Sequence, residues 1–368
     1  MAVGYEDNFL STAVLDEPFQ LEPPPGCPYT VGTALTLQRL PHSEASSSTQ
    51  SLIVNIEKVF LPFTQSQVLK VKLDNSSSMP DYPEYLVLKL FDRRFSERTS
   101  HPWDPSKEET LLQFLADVRK GARKDDYEGK DSDDYEDWHW ERKYRVTNQE
   151  LFQNEAAVYD HLRPLQGTII PRCYGLVHVL NISPVPGFLG SVPGLLQEYI
   201  EGSTMDELEV GTNISQDNAQ QAGSQAFDII RRLREHDVIH FDLRLANFIV
   251  STAQSPLRVV IIDFSVSRIR DRDEGVEEWE EEVRSEDELN GMRLILHQQR
   301  FRDRTPPTPT EGFAGYMHFN RVIERERPEW RSRHYEPVIR EGGHLEMIDD
   351  RKGGRKEYHH AAWKLKTS

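Results

Sequence analysis

The sequence predicts an α+β fold, and three observations carry that expectation. Short apolar runs of strand length, 52–60, 68–73 and 85–92, crowd the first part of the chain, and two more, 171–177 and 195–202, follow. Other stretches have apolar residues at helical spacing: Leu151, Val158 and Leu162 in one, and Ala222, Ala226, Ile229, Ile230 and Leu233 in another. A final pair of strand-like runs, 238–250 and 259–265, holds Asp242, Asn247 and Asp263 at its ends. Strand-like runs crowded early, with helical stretches and further strand-like runs following in no regular alternation, read as α+β.

Taken in order, residues 1–50 contain Pro23-Pro24-Pro25-Gly26 and Ser46-Ser47-Ser48-Thr49, so they read as an extension, partly disordered, in which 34–40 can add a strand. The runs 52–60 and 68–73 form a hairpin around Pro62-Phe63-Thr64-Gln65-Ser66, a turn without glycine. Run 85–92 is a strand with one lysine, Lys89, in its middle. A long insertion, 103–142, comes next. Its first half spaces Leu111, Leu112, Phe114, Leu115 and Val118 as a helix, and 124–137 is nearly all charged and reads as a mobile loop. Thr147-Asn148-Gln149-Glu150 is a capping box, flanked by Val146 and Leu151 as a hydrophobic staple, so a helix is expected to start there. Glu155 falls on the apolar stripe of that helix, where a carboxylate needs a partner. Ser285-Glu286-Asp287-Glu288 is a second capping box, opening a helix with Leu289, Met292, Leu294, Ile295 and Leu296. Residues 300–368, with Thr305-Pro306-Pro307-Thr308-Pro309 and Arg351-Lys352-Gly353-Gly354-Arg355-Lys356, read as a polar tail.

Composition narrows the function classes. The 368 residues carry 44 Lys and Arg against 61 Asp and Glu, a net charge of −17, which argues against nucleic-acid binding through bulk charge. Two cysteines, Cys27 and Cys173, make no disulfide framework. The run 1–10 has acidic residues and no basic apolar stretch, and no segment approaches the length of a membrane span, so the expected location is cytoplasmic or nuclear, with no membrane partner.

The chemistry sits in His240-Phe241-Asp242-Leu243-Arg244-Leu245-Ala246-Asn247 and in Asp263-Phe264-Ser265. A carboxylate can orient an attacking hydroxyl and accept its proton, and hard oxygens from Asn and Asp suit Mg²⁺. This arrangement resembles the catalytic loop and metal-binding loop of the protein-kinase-like superfamily, usually written HRDLKxxN and DFG. The resemblance spans about residues 50–298, and with the charged insertion and Leu88-Lys89-Leu90-Phe91-Asp92-Arg93-Arg94-Phe95 it is similar to a group of protein kinase-like proteins of filamentous fungi.

The resemblance implies a bilobal protein-kinase-like fold: a small β-rich N-lobe over 51–200 with one main helix and the insertion at 103–142, then a shortened, mostly helical C-lobe over 201–299. It implies Asp242 as catalytic base and Arg244 as the phosphate-contacting residue, with Asn247 and Asp263 as Mg²⁺ ligands. It further implies that Lys89 contacts the ATP phosphates and pairs with Glu155, and that Glu198 and Ile200 offer backbone groups to adenine beside Gln197. The implied cofactors are ATP and Mg²⁺, and the implied activity is transfer of the γ-phosphoryl group to a Ser or Thr hydroxyl.

Four departures qualify that activity. The nucleotide hairpin lacks glycine, leaving only the hydroxyls of Thr64 and Ser66 to meet a phosphate; Ser265 follows Asp263-Phe264 in place of glycine; Phe241 replaces the arginine that answers a phosphorylated activation segment; and no Ala-Pro-Glu motif follows. Three functions therefore stay open: a protein Ser/Thr kinase, a small-molecule kinase of the aminoglycoside or choline type acting on a small hydroxyl substrate, and a pseudokinase acting as a binding scaffold.

Overall fold

In the computed structural model, alternating apolar residues build six strands that close a barrel. They are β1 (Ala34–Arg39), β2 (Ser51–Phe60), β3 (Gln67–Leu73), β4 (Tyr85–Leu90), β5 (Cys173–Leu180) and β6 (Ser191–Glu198), and the order around the wall is β1-β2-β3-β4-β6-β5. The structure describes residues 23–24, 26–40, 51–74, 82–98, 101–125, 135–180, 191–252, 256–298, 331–333, 335–338, 345–349, 355–359 and 362–366. Residues 1–22, most of the charged stretch expected as a loop (126–134) and much of the expected tail lie outside them.

β1 closes the barrel. Leu37 faces Leu52 of β2 on one side and Val179 of β5 on the other, both pairings antiparallel. Inward positions on successive strands, Leu35 and Leu37, Leu52, Val54 and Ile56, Leu69 and Val71, and Leu86, Leu88 and Leu90, are all buried. Gly194 lets β6 approach β4: a Cβ there would lie 2.7 Å from the Lys89 carbonyl oxygen.

This closure overturns the expected bilobal kinase-like fold with a small β-rich lobe, one main helix and a shortened helical second lobe. The physical reason is edge pairing. A half-buried sheet leaves two rows of unpaired backbone groups, and the segment expected as an optional strand in a loose extension satisfies both rows at once.

The chain divides into two compact units, Met1–Asn148 with Val177–Leu196, and Gln149–Leu176 with Gln197–Ser368. In the first, the barrel is joined by α1 (Pro105–Arg119), opened by Asp104, whose carboxylate accepts from the Ser106 amide at 2.7 Å. Leu111 and Phe114 of α1 pack on Trp138. Trp138 belongs to α2 (Asp137–His161), which therefore starts ten residues before the expected capping box. The box at Thr147 falls inside a helix because Trp138, His139 and Glu141 supply a buried face upstream of it. Three ion pairs are buried after β4: Arg94 with Asp92 at 2.6 Å, Arg98 with Glu141 at 2.8 Å, and Arg93 with Glu108. Tyr29 donates to Asp92 Oδ2 at 2.7 Å and Arg94 Nε to Oδ1 at 2.8 Å, so both oxygens of that carboxylate are engaged, and the Asp92 amide donates to Gln67 Oε1 at 2.9 Å.

The second unit holds α3 (Gln216–Glu235), capped by Ser215, which accepts from the Asn218 amide at 3.2 Å. Its Ala219, Ala222, Ala226, Ile229, Ile230 and Leu233 are buried, as the periodicity predicts. Short strands follow: β7 (Ser203–Thr204), β8 (Val238–Ile239), β9 (Phe248–Ser251), β10 (Arg258–Ile261) and β11 (Arg268–Ile269), in two sheets ordered β10-β9-β7 and β11-β8. Gly202 is required beside β9, since a Cβ there would meet the Val250 oxygen at 2.3 Å. Helices α4 (Val276–Glu286) and α5 (Glu288–Gln298) are separated by Asp287 at φ 39°. Ser285, expected to cap α5, lies in the last turn of α4 instead. Beyond them β12 (Tyr335–Val338) pairs with β15 (Ala362–Leu365) and β13 (Leu345–Asp349) with β14 (Arg355–His359). Among the described residues no helix is long and apolar enough to cross a membrane.

Candidate functional site

Two antiparallel ladders fix the two motif loops against each other. Loop 240–247 runs from β8 to β9, and loop 262–267 runs from β10 to β11. β9 pairs with β10, Phe248 opposite Ile261, and β8 pairs with β11, Ile239 opposite Arg268. The ladders continue into the loops: the Ile262 amide donates to the Asn247 carbonyl at 2.9 Å, and Ser267 Oγ donates to the His240 carbonyl at 3.1 Å. Asn247 and Asp263 therefore emerge at the same end of one hairpin.

His240, fully buried, is the internal brace. Its Nδ1 accepts from the Asp242 amide at 3.3 Å, so Nε2 carries the proton and donates to the Ile262 carbonyl at 3.1 Å. Its ring meets Phe264 edge-on at 5.1 Å, and Phe264 meets Tyr159 of α2 edge-on at 5.6 Å.

The Asp242 carboxylate is oriented through one oxygen. Oδ2 accepts from Asn247 Nδ2 at 2.9 Å and from Arg244 Nε and Nη2 at 3.0 and 2.7 Å. Oδ1 accepts nothing from the described residues, and the side chain keeps 28% of its exposure. Asn247 Nδ2 also donates to the Asp242 carbonyl at 2.8 Å, which leaves Asn247 Oδ1 as an oxygen without a partner among the described residues. Asp263 Oδ1 accepts from Ser265 Oγ at 2.9 Å, a contact that glycine at position 265 could not make.

Backbone strain marks both loops. Phe241 has φ 62° and Asp263 φ 67°, left-handed values costly for side chains of this kind. Phe241 is held from α5: Glu288 Oε1 accepts from the His240 amide at 2.8 Å and the Phe241 amide at 3.0 Å. The Phe241 ring packs with Ile239, Trp279 and Val283. Burial pushes the Glu288 carboxyl up to about 7, while the two amide bonds pull against that rise. The loop 263–267 is held from α2, where Asn154 Nδ2 lies 2.6 Å from the Ser267 carbonyl and 3.0 Å from that of Ser265.

The remaining residues named from the sequence distribute as follows. Lys89 belongs to the first unit; on β4 it points away from Leu86, Leu88 and Leu90 yet is buried, its Nζ 5.5 Å from the Phe91 ring centroid. In that unit the β2–β3 turn buries Phe63 and Ser66, so of the two hydroxyls expected to meet a phosphate only Thr64 is exposed. Glu155 belongs to the second unit, where it is buried and accepts from Gln197 Nε2 at 3.4 Å. Glu198 is tied to its own unit: its amide donates to the Arg172 carbonyl at 2.8 Å, and its carboxylate accepts from the Arg172 amide and from Arg258 Nη1. Its amide is thus taken, whereas Ile200 keeps both its N–H and its carbonyl free of backbone partners among the described residues.

Sequence reasoning missed Asn154, Tyr159 and Glu288. Asn154 adjoins Glu155, the one available signal; Glu288 was absorbed into a capping box. Among the described residues no group of three or more His, Cys, Asp or Glu side chains gathers as a metal cage. No protein-family model matches this chain, and no curated protein matches it.

Proposed function

We propose that the chain is an ATP-dependent phosphotransferase of the protein-kinase type, moving the γ-phosphoryl group of ATP to a Ser or Thr hydroxyl with Mg²⁺. The observation that carries this reading is the Asp242–Asn247 bond at 2.9 Å on a loop zipped, through the Ile262 amide, to the loop of Asp263.

The donor chemistry fits Mg²⁺. Asn247 Oδ1 is a hard oxygen left open by its own amide nitrogen, and Asp263 adds a carboxylate. Mg²⁺ commonly takes only one or two protein oxygens and keeps water and phosphate oxygens around it. When bound, it supplies charge neutralisation on the phosphates. Asp242 orients the acceptor hydroxyl and takes its proton on Oδ1, because Oδ2 is held by Asn247 and Arg244. Arg244, 56% exposed, keeps guanidinium hydrogens for the transferred phosphoryl group. Ile200 offers its unpaired N–H and carbonyl to the adenine edge. Cys27 and Cys173 are not joined in a disulfide, which goes with a reducing compartment, cytoplasm or nucleus.

A second reading, a nucleotide-independent binding scaffold, is favoured by the glycine-free β2–β3 turn, which lacks the close backbone approach that kinases use over phosphates. Thermal shift decides between them. Phosphotransfer requires that millimolar ATP with Mg²⁺ stabilise the wild type and that Asp263→Asn lose the Mg²⁺-dependent part of the shift. No shift at all leaves the scaffold. γ-Phosphoryl transfer to a Ser/Thr peptide mixture, or instead to small amino alcohols, then assigns the acceptor.

A further inference from the structure

The loop that carries Asp263 turns its carbonyls toward one side chain. Asn154 Nδ2 lies 2.6 Å from the Ser267 oxygen, 3.0 Å from that of Ser265 and 3.4 Å from that of Phe264. All three neighbours are acceptors, so the amide nitrogen must face the loop. Its two hydrogens serve the two nearer oxygens, and the third is shared at longer range. These carbonyls belong to buried residues of a loop, outside β10 and β11, and apart from the Phe264 oxygen, which also accepts from the Ser267 amide at 3.1 Å, they lack a ladder to pair with, so they need partners from elsewhere. One turn further along α2, Tyr159 contacts Phe264. The helix thus grips the loop by a polar clamp and by an aromatic edge, on both sides of Glu155.

The clamp answers a specific need. Asp263 sits at φ 67°, a conformation that persists only where its surroundings over-determine it. We infer that Asn154 is a positioning residue that holds the Asp263 loop in its cation-binding arrangement. This rests on the phosphotransfer reading.

The test compares the wild type with Asn154→Asp, which is isosteric but cannot donate and sets a negative charge against three carbonyls, and with Asn154→Ser should the first variant fail to fold. Mg²⁺ is titrated at fixed ATP with thermal stabilisation as readout, alongside binding of metal-free ATP. The variant is expected to need about tenfold more Mg²⁺ for half-maximal stabilisation, as loss of one charge-sensitive contact implies, with metal-free ATP binding unchanged. An unchanged Mg²⁺ requirement in the variant overturns the inference while leaving phosphotransfer standing. If the wild type shows no Mg²⁺-dependent stabilisation, the phosphotransfer reading falls instead. Amide hydrogen exchange over 263–268 then judges the clamp by itself: faster exchange in Asn154→Asp supports it, and equal exchange sinks it.

Discussion

Replacing Glu288 by glutamine should change how stability depends on pH, and the structure gives the size. Glu288 is 8% exposed, and one oxygen accepts both loop amides while the other, Oε2, is buried with no hydrogen-bond partner among the described residues. Burial raises its carboxyl from 4.5 to about 7, a difference of about 3 kcal/mol between the two protonation states. The sign follows from where the proton binds more tightly. The folded state holds it better than the unfolded one, so the contribution to stability is full below pH 4.5 and is lost as pH rises through about 7. Glutamine keeps an oxygen for the His240 and Phe241 amides and cannot ionise. The difference between wild-type and variant stability should therefore shift by about 2–3 kcal/mol in favour of the variant between roughly pH 5 and pH 8. Urea unfolding followed by circular dichroism at fixed pH values measures it. Parallel pH profiles for the two proteins would refute the argument, because they would mean that Glu288 does not titrate across this range.

Two further outcomes follow from buried polar groups. Tyr159 Oη is buried with no hydrogen-bond partner among the described residues, so Tyr159→Phe should raise stability by about 1 kcal/mol while keeping the ring contact with Phe264; a lower melting temperature would count against this. Arg98→Met leaves Glu141 charged and buried, the pair having side-chain exposures of 3% and 1%, and should cost about 3–5 kcal/mol, most of it regained by adding Glu141→Leu. A loss under about 1 kcal/mol for the single variant would show that the pair is not closed in solution.

The local parts of this protein were legible in its sequence. Strand alternation located β2, β3 and β4, helical spacing located α1 and α3, and the eight-residue motif brought Asp242 and Asn247 together because their contact spans only five positions. Two kinds of feature were not legible. Closure of the barrel depends on which edges Ala34–Arg39 meets, and alternation says nothing about partners. The early start of α2 was hidden by charge: it follows directly on 124–137, a run rich in Asp that reads as solvated loop, and its own first turns carry charge too, whereas Glu141 there is neutralised by Arg98 and sits beside a buried Trp138 and His139. Charge density marks disorder only where the charges stay in water.

The candidate site shows why its own supports escape such reading. Each motif loop contains one strained residue, Phe241 or Asp263, and left-handed backbone at such residues costs on the order of 1–3 kcal/mol. A loop cannot recover that from its neighbours in sequence, which share its constraint. The compensation comes from groups far along the chain: Glu288 reaches His240 across 48 positions, and Asn154 reaches Ser267 across 113. Both act through backbone atoms, Glu288 by accepting two amides and Asn154 by donating to carbonyls, so neither leaves a pattern in the loop's side chains. What the motif encodes is the chemistry of Asp242, Asn247 and Asp263. Its geometry is encoded elsewhere, on α2 and α5, and loss of either clamp should release the strained residue it serves while every motif side chain is still present.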